Sequence, residues 1–177
     1  MTERDKRSFH IVFNLLLVVL FATLETSLWP RVFSPIPNPQ IWLSVVVFVF
    51  LYRTPVESLL IVYIPSLCLY LLTMQPLGYL LLAQTFLFFL VLAVRNRVFV
   101  PGQFYYSVMY ASSVLVFHIL MFIFAWVFET QPTSLSQVLT WFIQSILAFV
   151  ISPFLYSLIK RITPIEETID SEGGSFL

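Results

Sequence analysis

Residues 37–55 read PNPQIWLSVVVFVFLYRTP and contain a short, uncharged apolar run, Ile41–Tyr52, between two proline-marked turns. The run has twelve residues, which as a helix would extend only ~18 Å at 1.5 Å per residue. A helix needs about 20 apolar residues to cross ~30 Å of hydrocarbon. Whether this run crosses a membrane therefore decides the orientation of every segment that follows it.

The composition around this run is that of a chain solvated by lipid. Of the 177 residues, 59% are hydrophobic and 10% are charged, whereas a soluble domain carries about 25% charged residues. The net charge is zero and no basic tract is present, which argues against a nucleic-acid partner. The single Cys68 excludes an internal disulfide framework and a multi-cysteine metal site. We therefore expect an all-α integral membrane protein.

Five further segments are long enough to cross a bilayer. They are predicted at residues 9–29, 56–74, 77–94, 104–128 and 138–159. This division predicts a short N-terminal extension at residues 1–8 and a membrane domain at residues 9–162. Residues 163–177 form an acidic tail that bears Gly and Ser, and such a composition predicts disorder.

The distribution of basic residues favours six spans over five. If the short run crosses, eight of the nine basic residues share the side of both termini and only Arg31 lies opposite. If it does not cross, the division is three against six. The positive-inside rule selects the first arrangement, with both termini cytoplasmic. Under six spans the four Trp residues also lie at the outer helix ends, the usual position of interfacial aromatic side chains.

Three polar side chains are predicted to lie at similar depths in the outer leaflet. Glu25 lies ~6 Å from the outer end of its helix, and Gln84 and Gln144 lie ~9–11 Å from the ends of theirs. Intramembrane ionisable groups usually face a bundle interior or a cavity, so these three predict an outer-leaflet polar pocket. The alternative is that Glu25 reaches the interface while the two Gln join helices. A lone His118 near mid-span predicts an interhelical hydrogen bond.

Small residues mark two predicted packing faces. Ser145, Ala148 and Ser152 share one face of the sixth span, and Ser107 and Ala111 form a small-x-x-x-small pair on the fifth. Such stripes allow helix backbones to approach closely. They can serve helices of this chain or a helix of a partner.

Catalytic signatures are absent from the sequence. It contains no HExxH, no GxSxG and no phosphate-cradling glycine loop. We therefore expect a protein that is not an enzyme, with no catalytic residues, no bound metal and no cofactor.

The order of several motifs resembles that of the MreD family, small multi-span proteins of the bacterial rod-shape machinery. The resemblance covers residues 8–162. The motifs are a proline-bearing loop before the short span (Pro35 to Trp42), LYRTPVE at 51–57, QPLG at 75–78, RNRVF at 95–99, and SPF at 152–154 running to Lys160 and Arg161. At Tyr70 the chain departs from the family, which often carries Asp eight residues before the glycine matched by Gly78.

The resemblance implies a fold similar to the S-components of vitamin transporters and a location in the bacterial cytoplasmic (inner) membrane. It also implies a non-enzymatic scaffold that binds an MreC-like bitopic protein and supports a RodA-type glycosyltransferase and a class B transpeptidase, directly or indirectly. The predicted partner-binding residues are Trp29, Pro35, Pro39, Trp42, Gly78 and Trp141. The alternative is an S-component-like subunit of a vitamin or lipid transporter, with Glu25, Gln84 and Gln144 in its substrate site.

Overall fold

The computed structural model describes residues 3–73, 76–98, 100–129 and 135–163. The described part is all-helical. Its helices are α1 (Glu3–Ser27), α2 (Trp29–Val32), α3 (Ile41–Tyr52), α4 (Pro55–Thr73), α5 (Leu77–Arg97), α6 (Gln103–Glu129) and α7 (Leu135–Ile162). Of the predicted acidic tail only Thr163 is described; residues 164–177 lie outside the described residues, as do residues 1 and 2 of the predicted N-terminal extension.

The apolar character of these helices indicates a membrane-embedded protein. In the described part of the chain, four segments are long and apolar enough to cross a bilayer: Ile11–Val32, Leu77–Arg97, Gln103–Phe128 and Gln137–Ile162. Large apolar side chains remain exposed along them, for example Leu16, Phe89 and Ile146. Exposed apolar faces on long helices are the surfaces that hydrocarbon solvates.

Several helices extend beyond the apolar segments predicted from sequence. α1 begins at Glu3 rather than near residue 9, and α5 and α7 end at Arg97 and Ile162. Basic residues lie in the last turns of α5 and α7, where cations interact favourably with the helix dipole. A hydropathy pattern detects only the apolar part of such a helix, so it underestimates the helix length.

The short apolar run is the centre of the bundle. α3 has the predicted boundaries, and every residue from Trp42 to Tyr52 is buried. It packs against α1, α4, α5, α6 and α7. A helix that is apolar on all sides is one that must be buried on all sides, and the longer neighbours provide that burial. Its ends consequently lie within the protein.

Buried polar side chains hold α3 through its backbone. The Tyr106 hydroxyl donates to the carbonyl of Ser44 at 3.0 Å, and the Tyr110 hydroxyl donates to those of Pro39 at 2.8 Å and Gln40 at 3.1 Å. All three carbonyls lie at or just before the first turn of α3. Because a buried hydroxyl without a hydrogen-bond partner is costly and Tyr106 and Tyr110 are fully buried, these bonds fix the position of α3 along the bundle axis.

The C-terminal end of α3 is capped by a cation from another helix. Arg95 Nη1 donates to the carbonyl oxygens of Phe50 at 3.0 Å and Arg53 at 2.8 Å. The last carbonyls of a helix lack intrahelical partners, and a positive charge beside them is favoured by the helix dipole. One guanidinium thus satisfies two backbone groups of the central helix.

The small-residue stripes lie between α6 and α7 of this chain. Ser145 Oγ donates to the carbonyl oxygen of Ala111 at 2.8 Å. Ala148 and Ser152 are fully buried, and Ser107 is buried. The two stripes therefore serve contacts within the bundle, and the buried residues among them are not available to a partner helix.

Candidate functional site

A cavity lies at the N-terminal end of α3 because this helix is shorter than its neighbours. The twelve residues of α3 extend ~18 Å, whereas the 27 residues of α6 extend ~40 Å. The cavity has a volume of about 240 Å³. Its walls come from the end of α1, the loop before α3, and helices α3 to α7: Glu25, Thr26, Asn38, Gln40, Trp42, Leu69, Leu80, Phe117, His118, Met121 and Gln144.

Glu25 contributes the acidic group of the cavity. Its side chain is only 5% exposed. The carboxylate oxygen Oε2 accepts a long hydrogen bond from the backbone N–H of Trp42 at 3.4 Å, and Asn38 and the backbone N–H of Ile41 also lie against it. The first N–H groups of a helix lack intrahelical partners and attract negative charge. Glu25 therefore acts as a cap for α3, supplied by a different helix.

Gln40 and His118 form a second polar wall. Gln40 has a left-handed backbone (φ 52°), and its N–H donates to Asn38 Oδ1 at 3.1 Å. Its side-chain nitrogen Nε2 lies 3.1 Å from His118 Nε2, and His118 Nδ1 lies 2.8 Å from the carbonyl oxygen of Val114. A carbonyl only accepts, so the neutral imidazole carries its proton on Nδ1 and accepts the Gln40 amide proton at Nε2.

This arrangement fixes the direction of the Gln40 amide. With Nε2 directed at His118, the oxygen Oε1 is turned away and has no hydrogen-bond partner among the described residues. Gln144 Oε1 is also buried and has no hydrogen-bond partner among the described residues. Two amide oxygens, both acceptors, thus belong to side chains that line a cavity already containing a carboxylate.

The structure brings together only part of the predicted polar pocket. Glu25 and Gln144 line the cavity, but Gln84 does not. Leu80, one helical turn nearer the end of α5, occupies that wall, and Gln84 lies about 6 Å deeper along the helix. Gln84 is fully buried, and neither atom of its amide has a partner in the described part of the chain. Estimated depth alone placed it too near the cavity.

Gln40 and Asn38 enter the site without having been predicted from sequence, and His118 enters with a larger role than was expected. His118 does form a hydrogen bond with a distant part of the chain, but its partner Gln40 lies in the loop immediately before α3 and not within another helix. The available signal for Gln40 and Asn38 was their position immediately before a short helix, because residues there face any space that the helix leaves open.

Two predicted partner-binding residues lie in the interior. Trp42 is 4% exposed and packs edge-on against Phe117, with ring centroids 5.5 Å apart. Pro39 is buried, and its carbonyl accepts the Tyr110 hydroxyl. Both residues position the start of α3. The sequence placed them at an outer helix end, but that end is covered by the longer helices around it.

The other predicted partner-binding residues are accessible. Pro35 and Gly78 are exposed, and Trp29 and Trp141 are half-buried. Trp29 Nε1 donates to the carbonyl oxygen of Ile36 at 3.0 Å, which ties the loop between α1 and α3 into a compact turn. The Trp141 ring stacks on His118 with centroids 5.8 Å apart, so Trp141 connects the surface to the cavity wall.

Among the described residues, no group of three His, Cys, Asp or Glu side chains could hold a metal ion.

Comparison of the chain with protein-family models, with curated proteins and with solved structures found no match. The resemblance in motif order to the MreD family stays a prediction from the residues quoted above.

Proposed function

We propose that the chain is a non-enzymatic membrane scaffold of the bacterial cell-elongation machinery, which binds an MreC-like bitopic protein and supports peptidoglycan synthesis by a RodA-type glycosyltransferase and a class B transpeptidase. The observation that carries the proposal is the use of its buried and half-buried polar side chains. Glu25, Arg95, Tyr106, Tyr110 and Ser145 all bond the backbone of the chain itself. They stabilise a rigid bundle whose outward faces are apolar and suited to lateral contact.

The proposal includes six membrane-crossing helices with both termini in the cytoplasm. α4 has 19 residues and extends ~28 Å, and α3 crosses within a ring of longer helices that shield its ends. Arg53, Arg95 and Lys160 lie near the C-terminal end of α3, whereas Arg31 lies at the opposite end. This separation of charge supports a cytoplasmic position for the C-terminal end of α3.

Cysteine labelling tests this topology. In a Cys68→Ser background, single cysteines replace exposed Ser34 or exposed Asn96. Ser34→Cys should react with a membrane-impermeant maleimide in intact spheroplasts, and Asn96→Cys only after permeabilisation. The same accessibility for both positions would contradict the six-span arrangement.

The proposed partner surface is the turn between α1 and α3. Val32, Phe33 and Ile36 are 64%, 46% and 48% exposed, and they stand beside Trp29 and Pro35 of the predicted contact set. Exposed apolar side chains grouped on a loop are typical of an interaction site. This surface faces the outer compartment in the proposed topology, where the extracytoplasmic part of a bitopic partner is located.

Photo-crosslinking in native membranes tests the scaffold. A photoreactive amino acid replaces Phe33 or, as a matched control, Phe154, which is 69% exposed near the other end of the bundle. We expect an MreC-like protein cross-linked through position 33 and co-purification of the transpeptidase and glycosyltransferase. Equal cross-linking at the two positions, or none to a bitopic protein, would refute the proposed surface.

The cavity supports the second candidate, an S-component-like substrate-binding subunit of a vitamin or lipid transporter. Glu25, Gln40, His118 and Gln144 converge there from four different parts of the chain. The same purification distinguishes the candidates, because a transporter subunit would be recovered with a membrane coupling protein and paired ATPases.

A further inference from the structure

The cavity at the N-terminal end of α3 contains a negatively charged side chain and two amide oxygens that have no hydrogen-bond partner among the described residues. Among the described residues that line it, Glu25 is the only formally charged side chain, and none is Lys or Arg. Among the fully buried side-chain atoms of its described lining residues, Gln40 Oε1 and Gln144 Oε1 lack hydrogen-bond partners in the described part of the chain. All of these atoms accept hydrogen bonds, so a complementary ligand must donate them.

The hydrogen bonds described for the Glu25 carboxylate leave capacity for a ligand. Its hydrogen bond from the Trp42 N–H is long, at 3.4 Å, its other partners are Asn38 and the Ile41 N–H, and a carboxylate accepts about four hydrogen bonds. A buried carboxylate without a counter-charge is costly, and a buried one paired with a hydrogen-bonded cation is far less so. A cationic donor in the cavity supplies both the missing charge and the missing hydrogen bonds.

The remaining walls define the rest of the ligand. Trp42 and Phe117 present aromatic rings, and Leu69, Leu80 and Met121 complete an apolar surface. Aromatic faces attract cations, and apolar walls accommodate a small hydrocarbon group. The volume of about 240 Å³ is below the ~300–1,000 Å³ typical of drug-sized ligands, so the group must be small.

We propose that this cavity is a binding site for a primary ammonium group attached to a small apolar moiety, with Glu25 pairing the charge and Gln40 and Gln144 accepting N–H donors. His118 acts as a positioning residue, because its bond to Gln40 Nε2 directs Gln40 Oε1 away from the imidazole. The site is independent of the partner proposed above and is open to two sources of the same chemistry, a soluble amine or the headgroup of phosphatidylethanolamine.

Binding to purified protein in phosphatidylcholine nanodiscs tests the site with three probes of similar shape. They are 2-phenylethylammonium, 2-phenylethanol and phenylacetate, and the readouts are the dissociation constant and the thermal shift. The ammonium should bind at least about tenfold more tightly than the alcohol, since one hydrogen bond to a charged group is worth about that factor. Equal binding of all three probes, or preference for the carboxylate, overturns the proposal.

Two cavity variants and one control variant test whether the ammonium binds in this cavity. Glu25→Gln keeps an acceptor for the start of α3 but removes the charge, and it should abolish the preference for the ammonium over the alcohol. Gln144→Leu removes an acceptor for which the described residues offer no partner, and it should weaken ammonium binding. It provides the second test should Glu25→Gln fail to fold. Gln84→Leu, buried outside the cavity, is the matched control and should retain binding. Ammonium binding unchanged in both cavity variants overturns the assignment.

Adding phosphatidylethanolamine to the nanodiscs distinguishes a lipid headgroup from a soluble amine as the natural ligand. If phosphatidylethanolamine is the natural donor, its addition to the nanodiscs should raise the melting temperature of the wild type, weaken binding of the soluble amine, and have neither effect on Glu25→Gln. If the donor is a soluble amine, the lipid should change neither quantity while the soluble probe still binds.

Discussion

Replacing Arg95 by Met should destabilise the whole bundle because it removes the cap of the central helix. Met keeps an unbranched side chain but leaves the carbonyls of Phe50 and Arg53 without their donor. A hydrogen bond to a charged group contributes about 1.5–3 kcal/mol. Arg95 is only half-buried, so water can reach the vacated carbonyls and the lower value applies to each bond. With about 0.3–1 kcal/mol for the lost helix-dipole interaction, the expected cost is about 3–4 kcal/mol.

Reversible unfolding in mixed micelles of mild detergent and dodecyl sulfate measures this cost, and thermal unfolding in nanodiscs should show a melting temperature about 10 °C lower. Arg97→Met is the matched control: Arg97 lies in the same last turn but is exposed, so its loss should change stability by at most about 0.5 kcal/mol. Arg95→Lys should recover part of the loss, because Lys restores a cationic donor near the two carbonyls but not the planar guanidinium whose Nη1 donates to both. Equal destabilisation by the two Met variants would refute the cap.

Three further changes test the packing of the bundle. Tyr110→Phe removes a buried hydroxyl that bonds two carbonyls and should cost about 1–2 kcal/mol in unfolding free energy, whereas Tyr63→Phe, at a position 54% exposed, should cost nothing measurable. Ser145→Leu should cost about 1–3 kcal/mol through overpacking between α6 and α7, while Ser157→Leu on an exposed face should be tolerated; equal effects would refute the close contact. Trp29→Phe removes the bond that closes the loop before α3 and should speed limited proteolysis within residues 30–40 without changing the melting temperature.

The central helix was predictable to its boundaries, but its surroundings were not. Ile41–Tyr52 is apolar at every position, which indicates burial on all sides, and flanking prolines mark its limits. Its two caps come from Glu25 and Arg95, separated in sequence from their backbone partners by 17 and by 42–45 residues. No local pattern links residues so distant, because the pairing depends on which helix ends meet in the folded bundle.

The site shows the same division between local and tertiary information. Depth along a helix follows from counting residues, and Glu25 and Gln144, which were predicted at similar depths, both line one cavity. Gln84 lies on the same face of α5 as Leu80 but one turn deeper, below the cavity wall that Leu80 forms, and counting residues did not show where the cavity ends. Gln40 belongs to the site because α3 begins below the ends of its longer neighbours, a consequence of length mismatch among helices.

The position of α3 also sets an order of events during synthesis. A twelve-residue segment is too short to remain in a bilayer by its own length. Arg95 emerges 42 residues after Arg53, and Tyr106 emerges 62 residues after Ser44, about 2–12 s later at ~5–20 residues per second. Longer helices can insert one by one and associate afterwards. In the proposed six-span arrangement we therefore expect the insertion machinery to retain α3 until α5 and α6 arrive, so that membrane entry and folding of this segment would be a single step.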